Sequence, residues 1–210
     1  PKPGQSLMIP HLLRSGCFVT KDEDAAVATR AVPRHDDVSD TRDGATVEYK
    51  GARLRQRDLR VLLGLLHATG GLHFEAAKVT CHVVDFLRLI GKSVCTDSVA
   101  SLRDSFSSLR SATFTVRRFA KDKCVIFGFI DGVEWDKRTF TVHMSPLAHK
   151  AVDALGFTLL PITVRNKLTD GVQTALADIF YSTSADDFDI EALAAILGRK
   201  PEWFGKEVRA

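Results

Sequence analysis

The sequence predicts an α+β fold, and three observations predict it. Two helical segments, residues 81–90 and 96–111, flank a short turn that contains Gly91. Three runs with strand-like apolar character follow, at 113–119, 124–130 and 139–145. Four cations, Arg117, Arg118, Lys121 and Lys123, crowd the link between the first two runs. Helix, turn, helix and basic hairpin, in that order, make a winged helix-turn-helix.

The remaining elements follow along the chain. Residues 1–45 read mostly as loop, although IPHLLRSGCF has a short apolar pattern that suits a turn of helix. Residues 21–44 mix acidic, basic and small side chains with little apolar content, which predicts a flexible segment. TVEYK, residues 46–50, alternates as a strand does and ends at Gly51.

Residues 53–69 form a helix whose wide apolar face holds Leu54, Leu59, Leu62, Leu63, Leu65 and Leu66, with Gly70-Gly71 as the stop. Arg53, Arg55, Arg57 and Arg60 are expected on its exposed face, either solvated or turned to a phosphate or a partner. Thr80 is the expected cap of helix 81–90, and Thr96 that of helix 96–111. In the latter, Val99, Leu102, Phe106 and Leu109 recur at steps of 3, 4 and 3, a buried stripe. The opposite face carries Asp97, Ala100, Ser101, Asp104, Ser107 and Ser108, with Arg103 and Arg110 at its flanks. Side chains that small permit close approach to another surface but grip a base weakly. The helix therefore suits a DNA reader or a plain packing element.

Pro146 opens a helix that Gly156 ends, and residues 157–164 are extended. Thr169 caps a helix through Tyr181, Asp189 caps another over 190–197, and residues 201–204 could open one more. This repeats the order seen over 53–111. It predicts two tandem winged-helix domains, the second incomplete, divided as a flexible segment 1–45, a first domain 46–160 and the start of a second at 161–210.

Composition narrows the classes. The chain has 210 residues, 45% hydrophobic and 26% charged, which is ordinary globular composition. No apolar run reaches the roughly 18 residues that cross a bilayer, and no secretory signal is visible. Cys17, Cys81, Cys95 and Cys124 form no CxxC pair, so reduced thiols in a cytoplasmic protein are expected, with no metal site. The net charge of +3 is mild for a nucleic-acid binder. It is unevenly placed, however, with −2 after residue 160 and +5 before it, where the helix-turn-helix lies.

Catalytic patterns fail on inspection. IGKS at 90–93 resembles the end of a phosphate-binding loop, but Phe86 stands where that loop needs glycine. Strand-nicking chemistry needs a histidine pair and a tyrosine nucleophile, whereas Tyr49 and Tyr181 read as packing residues. No GxSxG, HExxH or paired-carboxylate pattern occurs, so neither an enzyme nor a cofactor is expected.

Several diffuse motifs stand in an order that resembles the TrfA-type plasmid replication initiators. They are IPHLLRSGCF, VEYKGARLRQRDLRVLLGLLHATGG, VTCHVVDFLRLIGKSVCTDSVASLRDSFSSLRSATFTVRR, GFIDGVEWDKRTFTVHMSPLAHKAVDALGF and LADIFYSTS, covering most of residues 9–184. The resemblance implies tandem winged-helix domains that bind directly repeated sites in a plasmid origin and open a neighbouring A·T-rich segment. It implies work with the host initiator, recruitment of the replicative helicase, and dimers made through the first domain. Carried onto this sequence, the first reading helix is 96–111 and the first wing 117–123. A second reading helix would start near Trp203, where the chain departs from the family because it stops.

The expected function is sequence-specific binding of double-stranded DNA in plasmid replication initiation. Phosphate contacts are expected from Lys92, Arg117, Arg118, Lys121 and Lys123, and base contacts from the Ser98–Ser101 end of the reading helix, with Ser93, Thr96 and Arg103 beside them. The alternatives are a dimeric winged-helix transcription regulator, and a protein–protein module built on the arginine-rich helix 53–69.

Overall fold

The computed structural model describes residues 5–15, 17–19, 30–31, 45–70, 78–118, 123–169, 171–182 and 190–197. The chain runs β1 (Gln5–Met8), α1 (Pro10–Arg14), β2 (Phe18–Val19), β3 (Arg30–Ala31), β4 (Ala45–Lys50), β5 (Leu54–Arg55) and α2 (Gln56–Ala68). It continues through β6 (Lys78–His82), α3 (Val83–Leu89), α4 (Thr96–Ser111), β7 (Thr113–Arg118), β8 (Lys123–Phe127), β9 (Ile130–Trp135) and β10 (Thr139–Met144). It closes with α5 (Pro146–Leu155), β11 (Thr158–Pro161), α6 (Ile162–Arg165), α7 (Val172–Ser182) and α8 (Ile190–Ile196). The α+β expectation agrees with this mixture of helices and antiparallel sheets.

Helix α2 organises the core. Its leucines at 59, 62, 63 and 66 are buried, as their spacing predicts. The Asp58 carboxylate accepts the backbone N–H of Arg55 at 2.7 Å, which caps the first turn. Its other oxygen accepts the Ser105 hydroxyl at 2.6 Å and so ties α2 to α4. Gly64 lets α3 come close, because a Cβ there would lie 2.4 Å from the Ile90 side chain.

The turn after α3 is closed by two backbone bonds. Lys92 N–H donates to Leu87 O at 2.8 Å and Gly91 N–H to Arg88 O at 3.0 Å. That is the double bond of a Schellman cap, and it needs the φ of +69° that Gly91 supplies. Helix α4 then buries Leu102, Phe106 and Leu109 as predicted, with Val99 partly covered. Phe106 meets Phe140 at a ring-centroid distance of 4.9 Å, and Phe140 meets Phe86 edge-on at 5.1 Å. Each such ring pair adds roughly 0.5–1.5 kcal/mol beyond the area it buries.

Several sequence expectations are corrected, among them the cap of α4, which is Cys95 and not Thr96. Residues 5–8 are not loop but strand β1, which pairs antiparallel with β11, whereas α1 at Pro10–Arg14 is the turn of helix that IPHLLRSGCF suited; Leu7, Met8, Ile9 and Leu12 have no solvent exposure. Their pattern is short and interrupted by Pro10, and β1 meets both β11, at least 150 positions away, and α2, where the buried Ser6 hydroxyl donates to Leu63 O. Thr80 and Cys81 belong to strand β6, and α3 begins after His82. The strands after α4 do not form one sheet. β7 and β8 extend β4 in the order β3-β4-β7-β8, whereas β9 and β10 join β6 in the order β6-β10-β9. The extended run 157–164 ends at Pro161, and α6 follows. Helix α7 starts at Val172, so Thr169 does not cap it.

The arginine-rich face of α2 is also only partly a face. Arg60 is buried, and its guanidinium donates to Ile90 O at 3.2 Å, Asn166 Oδ1 at 3.0 Å and Leu168 O at 3.1 Å. Residues 165–168 thus reach back onto α2 and the end of α3. Helices α7 and α8 pack a small cluster of their own from Ala175, Ile179, Leu193, Ala194 and Leu197. The expected helix at 201–204 lies outside the described residues, as does the expected flexible stretch 21–44 except for Arg30 and Ala31, which form β3 paired with β4.

Candidate nucleic-acid interface

Helices α3 and α4 and the turn between them present Gly91, Lys92, Ser93, Val94, Cys95, Thr96 and Asp97 to solvent. The extended backbone of Cys95 lets α4 start abruptly, and Asp97 in the first turn complements the positive end of the helix. The exposed side of α4 carries Ala100, Arg103, Asp104, Ser107 and Arg110.

Arg103 has a particular partner. Its guanidinium carbon lies 4.8 Å from the ring centroid of Trp135, a cation–π contact that holds the side chain in place while leaving it exposed. Trp135 ends β9, stacks on Phe140 at 5.5 Å and meets Phe106 at 5.8 Å. Immediately beyond it, Asp136, Lys137 and Arg138 form the exposed turn into β10. The Arg138 carbonyl accepts the N–H of Val83 at 2.9 Å, which anchors this turn to the start of α3. The outer face of α4 and a turn with two cations therefore stand together. Only Arg103 of this group was among the residues expected from sequence. The signal for the turn was the tripeptide Asp136-Lys137-Arg138 itself, whose place beside α3 depends on the pairing of β6 with β10.

The expected site residues divide into three groups. Lys92, Ser93 and Thr96 are exposed in the turn and at the start of α4, as a reading end requires. Ser98 and Ser101 are half-buried instead and line a cleft against α2. Arg117 is exposed on β7, 4.0 Å from Glu48 on β4, and so belongs to the β3-β4-β7-β8 sheet and not to the hairpin beside α4. Arg118 and Lys123 are backbone partners at the β7–β8 end, and Lys121 lies outside the described residues.

Two titrating groups sit at the start of α4 or on the β9–β10 hairpin. The Cys95 thiol is held below the usual cysteine range by hydrogen bonds from the Ser98 hydroxyl, at 3.2 Å, and from the Ser98 backbone and Ser93 hydroxyl. Glu134 on β9 is held below the usual carboxylate range by its hydrogen bond with His143 at 2.8 Å, with Lys78 adding to the effect. Among the described residues, no group of three or more His, Cys, Asp or Glu is placed to hold a metal ion. No helix among them is long and apolar enough to cross a membrane.

No protein-family model matches the chain, and no curated protein matches it. Solved structures similar in fold include two of RctB. A crystal structure of selenomethionine derivatives of domains 2 and 3 of RctB has a TM-score of 0.68 at 15% identity, covering 95% of this chain and 83% of that one. A second structure of RctB domains 2-3 has a TM-score of 0.64 at 13% identity, covering 95% and 80%. At such identities the likeness is one of fold.

Proposed function

We propose that this chain is a replication initiator that binds double-stranded DNA through a winged helix formed by α2, β6, α3, α4, β9 and β10. On this reading α4 is the reading helix and the Asp136–Lys137–Arg138 turn is the wing. The observation that carries it is the contact of Arg103 with Trp135. That contact brings a cation on the outer face of the second helix of a helix-turn-helix beside a cationic hairpin tip. The fold shared with domains 2 and 3 of RctB, a replication initiator, supports the same reading.

The finer assignment rests on the sequence resemblance to TrfA-type initiators. It covers direct repeats in a plasmid origin, a cytoplasmic setting, partnership with a host initiator and replicative helicase, and homodimers through the first domain. The start of a second winged-helix domain after residue 160 belongs to the same proposal. It is supported by the separate small core of α7 and α8.

The test is selection of bound duplexes from a random pool, followed by titration of the recovered sequence. Head-to-tail repeats bound at least a hundred times tighter than random duplex are the expected result. A palindromic site would favour a dimeric transcription regulator. Equal binding of all sequences, or none, would reject the proposal.

A further inference from the structure

The carbonyls at the end of α3, from Phe86 to Ile90, all have donors, and α3 with its turn supplies only some of them. Phe86 O accepts the N–H of Ile90 at 3.0 Å, Leu87 O that of Lys92 at 2.8 Å and Arg88 O that of Gly91 at 3.0 Å. The carbonyls of Leu89 and Ile90 remain, and a helix end leaves such groups to water or to partners from elsewhere. Here both partners are side chains. Asn166 Nδ2 donates to Leu89 O at 2.9 Å, across 77 positions of chain. Arg60 Nη1 donates to Ile90 O at 3.2 Å and to Asn166 Oδ1 at 3.0 Å.

Asparagine suits this place for a chemical reason. A guanidinium only donates, so the amide oxygen must face Arg60, which leaves the amide nitrogen for the Leu89 carbonyl. One short planar group thus bridges a donor and an acceptor. It lies flush on the turn because Gly91 has no side chain: a Cβ there would be 2.9 Å from Asn166 Cβ and 3.1 Å from its Cγ.

The segment that carries Asn166 is itself held on both sides. Arg165, one residue before, is buried in its ion pair with Asp178 of α7 and donates to Gln56 at the start of α2. Leu168, two residues after, offers its carbonyl to Arg60 Nη2 at 3.1 Å. The backbone between closes on itself, with Asn166 N–H on Ile162 O at 2.8 Å and Leu168 N–H on Arg165 O at 3.1 Å. Residues 165–168 therefore form a strap across the turn from which α4 departs, anchored in α2 and α7.

We infer that Asn166 is a positioning residue of the DNA interface. It fixes where the turn after α3 sits, and with it the angle at which α4 meets a duplex, without touching a base itself. The inference rests on the DNA-binding reading above and deepens it. Base contacts demand placement, because a hydrogen bond weakens steeply with angle and distance, whereas attraction to phosphates tolerates a shift. Loss of the strap is thus expected to degrade discrimination between sequences more than attachment to DNA.

The experiment uses the full chain and two variants, Asn166→Ala and Asn166→Asp, each checked for folding by circular dichroism. Asn166→Asp keeps the shape and the acceptor for Arg60 but replaces the Leu89 donor with an oxygen, so it separates the hydrogen bond from the packing. Affinities for a selected and a random duplex are measured over a salt series. Both variants are expected to lower the ratio of the two affinities about tenfold, the size of one lost base contact. The salt slope of Asn166→Ala is expected to stay as in the wild type, since no cation is removed. A merely structural residue would reduce the active fraction and weaken both duplexes alike. An unchanged ratio in either variant, or equal weakening with a shallower slope, overturns the inference while leaving DNA binding intact.

A second arm follows amide hydrogen exchange in the free chain. Faster exchange at Gly91 and Lys92, with the amides of α2 unchanged, is the expected result for Asn166→Ala. A lowered ratio beside unchanged exchange would put Asn166 on a base and overturn the positioning role. Should the wild type bind no duplex, or all alike, the DNA reading fails and this arm decides alone. Local acceleration then keeps the strap as the device that places the turn, and unchanged exchange or uniform acceleration removes it.

Discussion

Arg165 on α6 donates its Nε hydrogen to both carboxylate oxygens of Asp178 on α7, at 3.0 and 3.1 Å, and both residues are buried. The same guanidinium donates through Nη2 to Gln56 Oε1 at 2.8 Å, at the start of α2. Gln56 in turn donates to the carbonyl of Phe18 at 2.9 Å. One buried ion pair thus joins four parts of the chain that are remote in sequence. Removing one partner strands the other charge away from water. Asp178→Ala is therefore expected to lose about 3–5 kcal/mol in urea unfolding. The double change Arg165→Met with Asp178→Leu should recover much of that loss, because two apolar groups leave no charge unpaired. A loss below about 1 kcal/mol in the single variant would show that the pair is solvated.

Asp58 predicts a pH dependence of the opposite sense to a surface carboxylate. Burial raises its pKa above the usual value, and the hydrogen bonds from Ser105 and the Arg55 backbone offset this only in part. A carboxyl with a raised folded pKa binds its proton more tightly when folded. Its stabilising contribution is complete below the unfolded value of about 3.9 and is lost as pH rises through the folded value. Asp58→Asn keeps an acceptor for Ser105 without the charge. The difference in urea midpoint between wild type and Asp58→Asn should move against the wild type from about pH 4 upward. A flat difference would refute the assignment.

The cysteines are expected to separate by reactivity. Cys95 is exposed and its thiol is shifted downward, chiefly by the Ser98 hydroxyl, whereas burial pushes the Cys81 thiol up and Cys17 is buried. Since the thiolate is the reacting form, iodoacetamide at neutral pH should modify Cys95 before Cys81 and Cys17. Ser98→Ala should slow Cys95 alone. Peptide mass spectrometry over a time course reads both effects, and faster modification of Cys81 would contradict them.

Arg103 and Trp135 give a direct readout of the proposed interface. A guanidinium that contacts a base should cost about 1–3 kcal/mol on the preferred sequence when removed. Arg103→Ala is therefore expected to weaken the selected duplex more than a random one. The chain has two tryptophans, Trp135 and Trp203, so a Trp203→Phe background isolates the emission of Trp135. Duplex should alter that emission in the background variant. Emission unmoved by saturating duplex would place the DNA elsewhere.

Gly91 tests the turn between the helices. Its φ is +69°, and a Cβ there would lie 2.9 Å from the Cβ of Asn166, whose amide donates to Leu89 O at 2.9 Å. Gly91→Ala should cost about 1–2 kcal/mol from the left-handed backbone alone. Adding Asn166→Ala should relieve the contact without restoring wild-type stability, as thermal unfolding would report.

Several elements were legible in the residues themselves. The stripe Val99, Leu102, Phe106 and Leu109 specified α4, and the leucines of α2 specified that helix, because a helical repeat of apolar groups leaves one face with nowhere to go but inward. Lys92 and Ser93 in the turn, and Thr96 and Arg103 on α4, are exposed, as residues away from that stripe should be. Alternation likewise marked β4, β7 and β10 as strands.

Partners were what the residues could not name. A period of two says that a strand has an inner face, yet it does not say which edge it meets, so the hairpin β7–β8 looked like the companion of the helix-turn-helix. Pairing of β6 with β10 puts the β9–β10 hairpin beside α3 and α4 instead, with Trp135 against Arg103 and the Arg138 carbonyl bonded to Val83. Burial of a charge is the same kind of fact. Arg60 read as surface because arginine is expensive to bury, and it is buried because carbonyls at 90 and 168 and the Asn166 amide oxygen, all distant in sequence, converge on its fork. Local sequence thus determined which segments are helix or strand and which side of each is apolar. Only the tertiary structure decided who faces whom, since contact between remote segments is set by the packing of the whole chain.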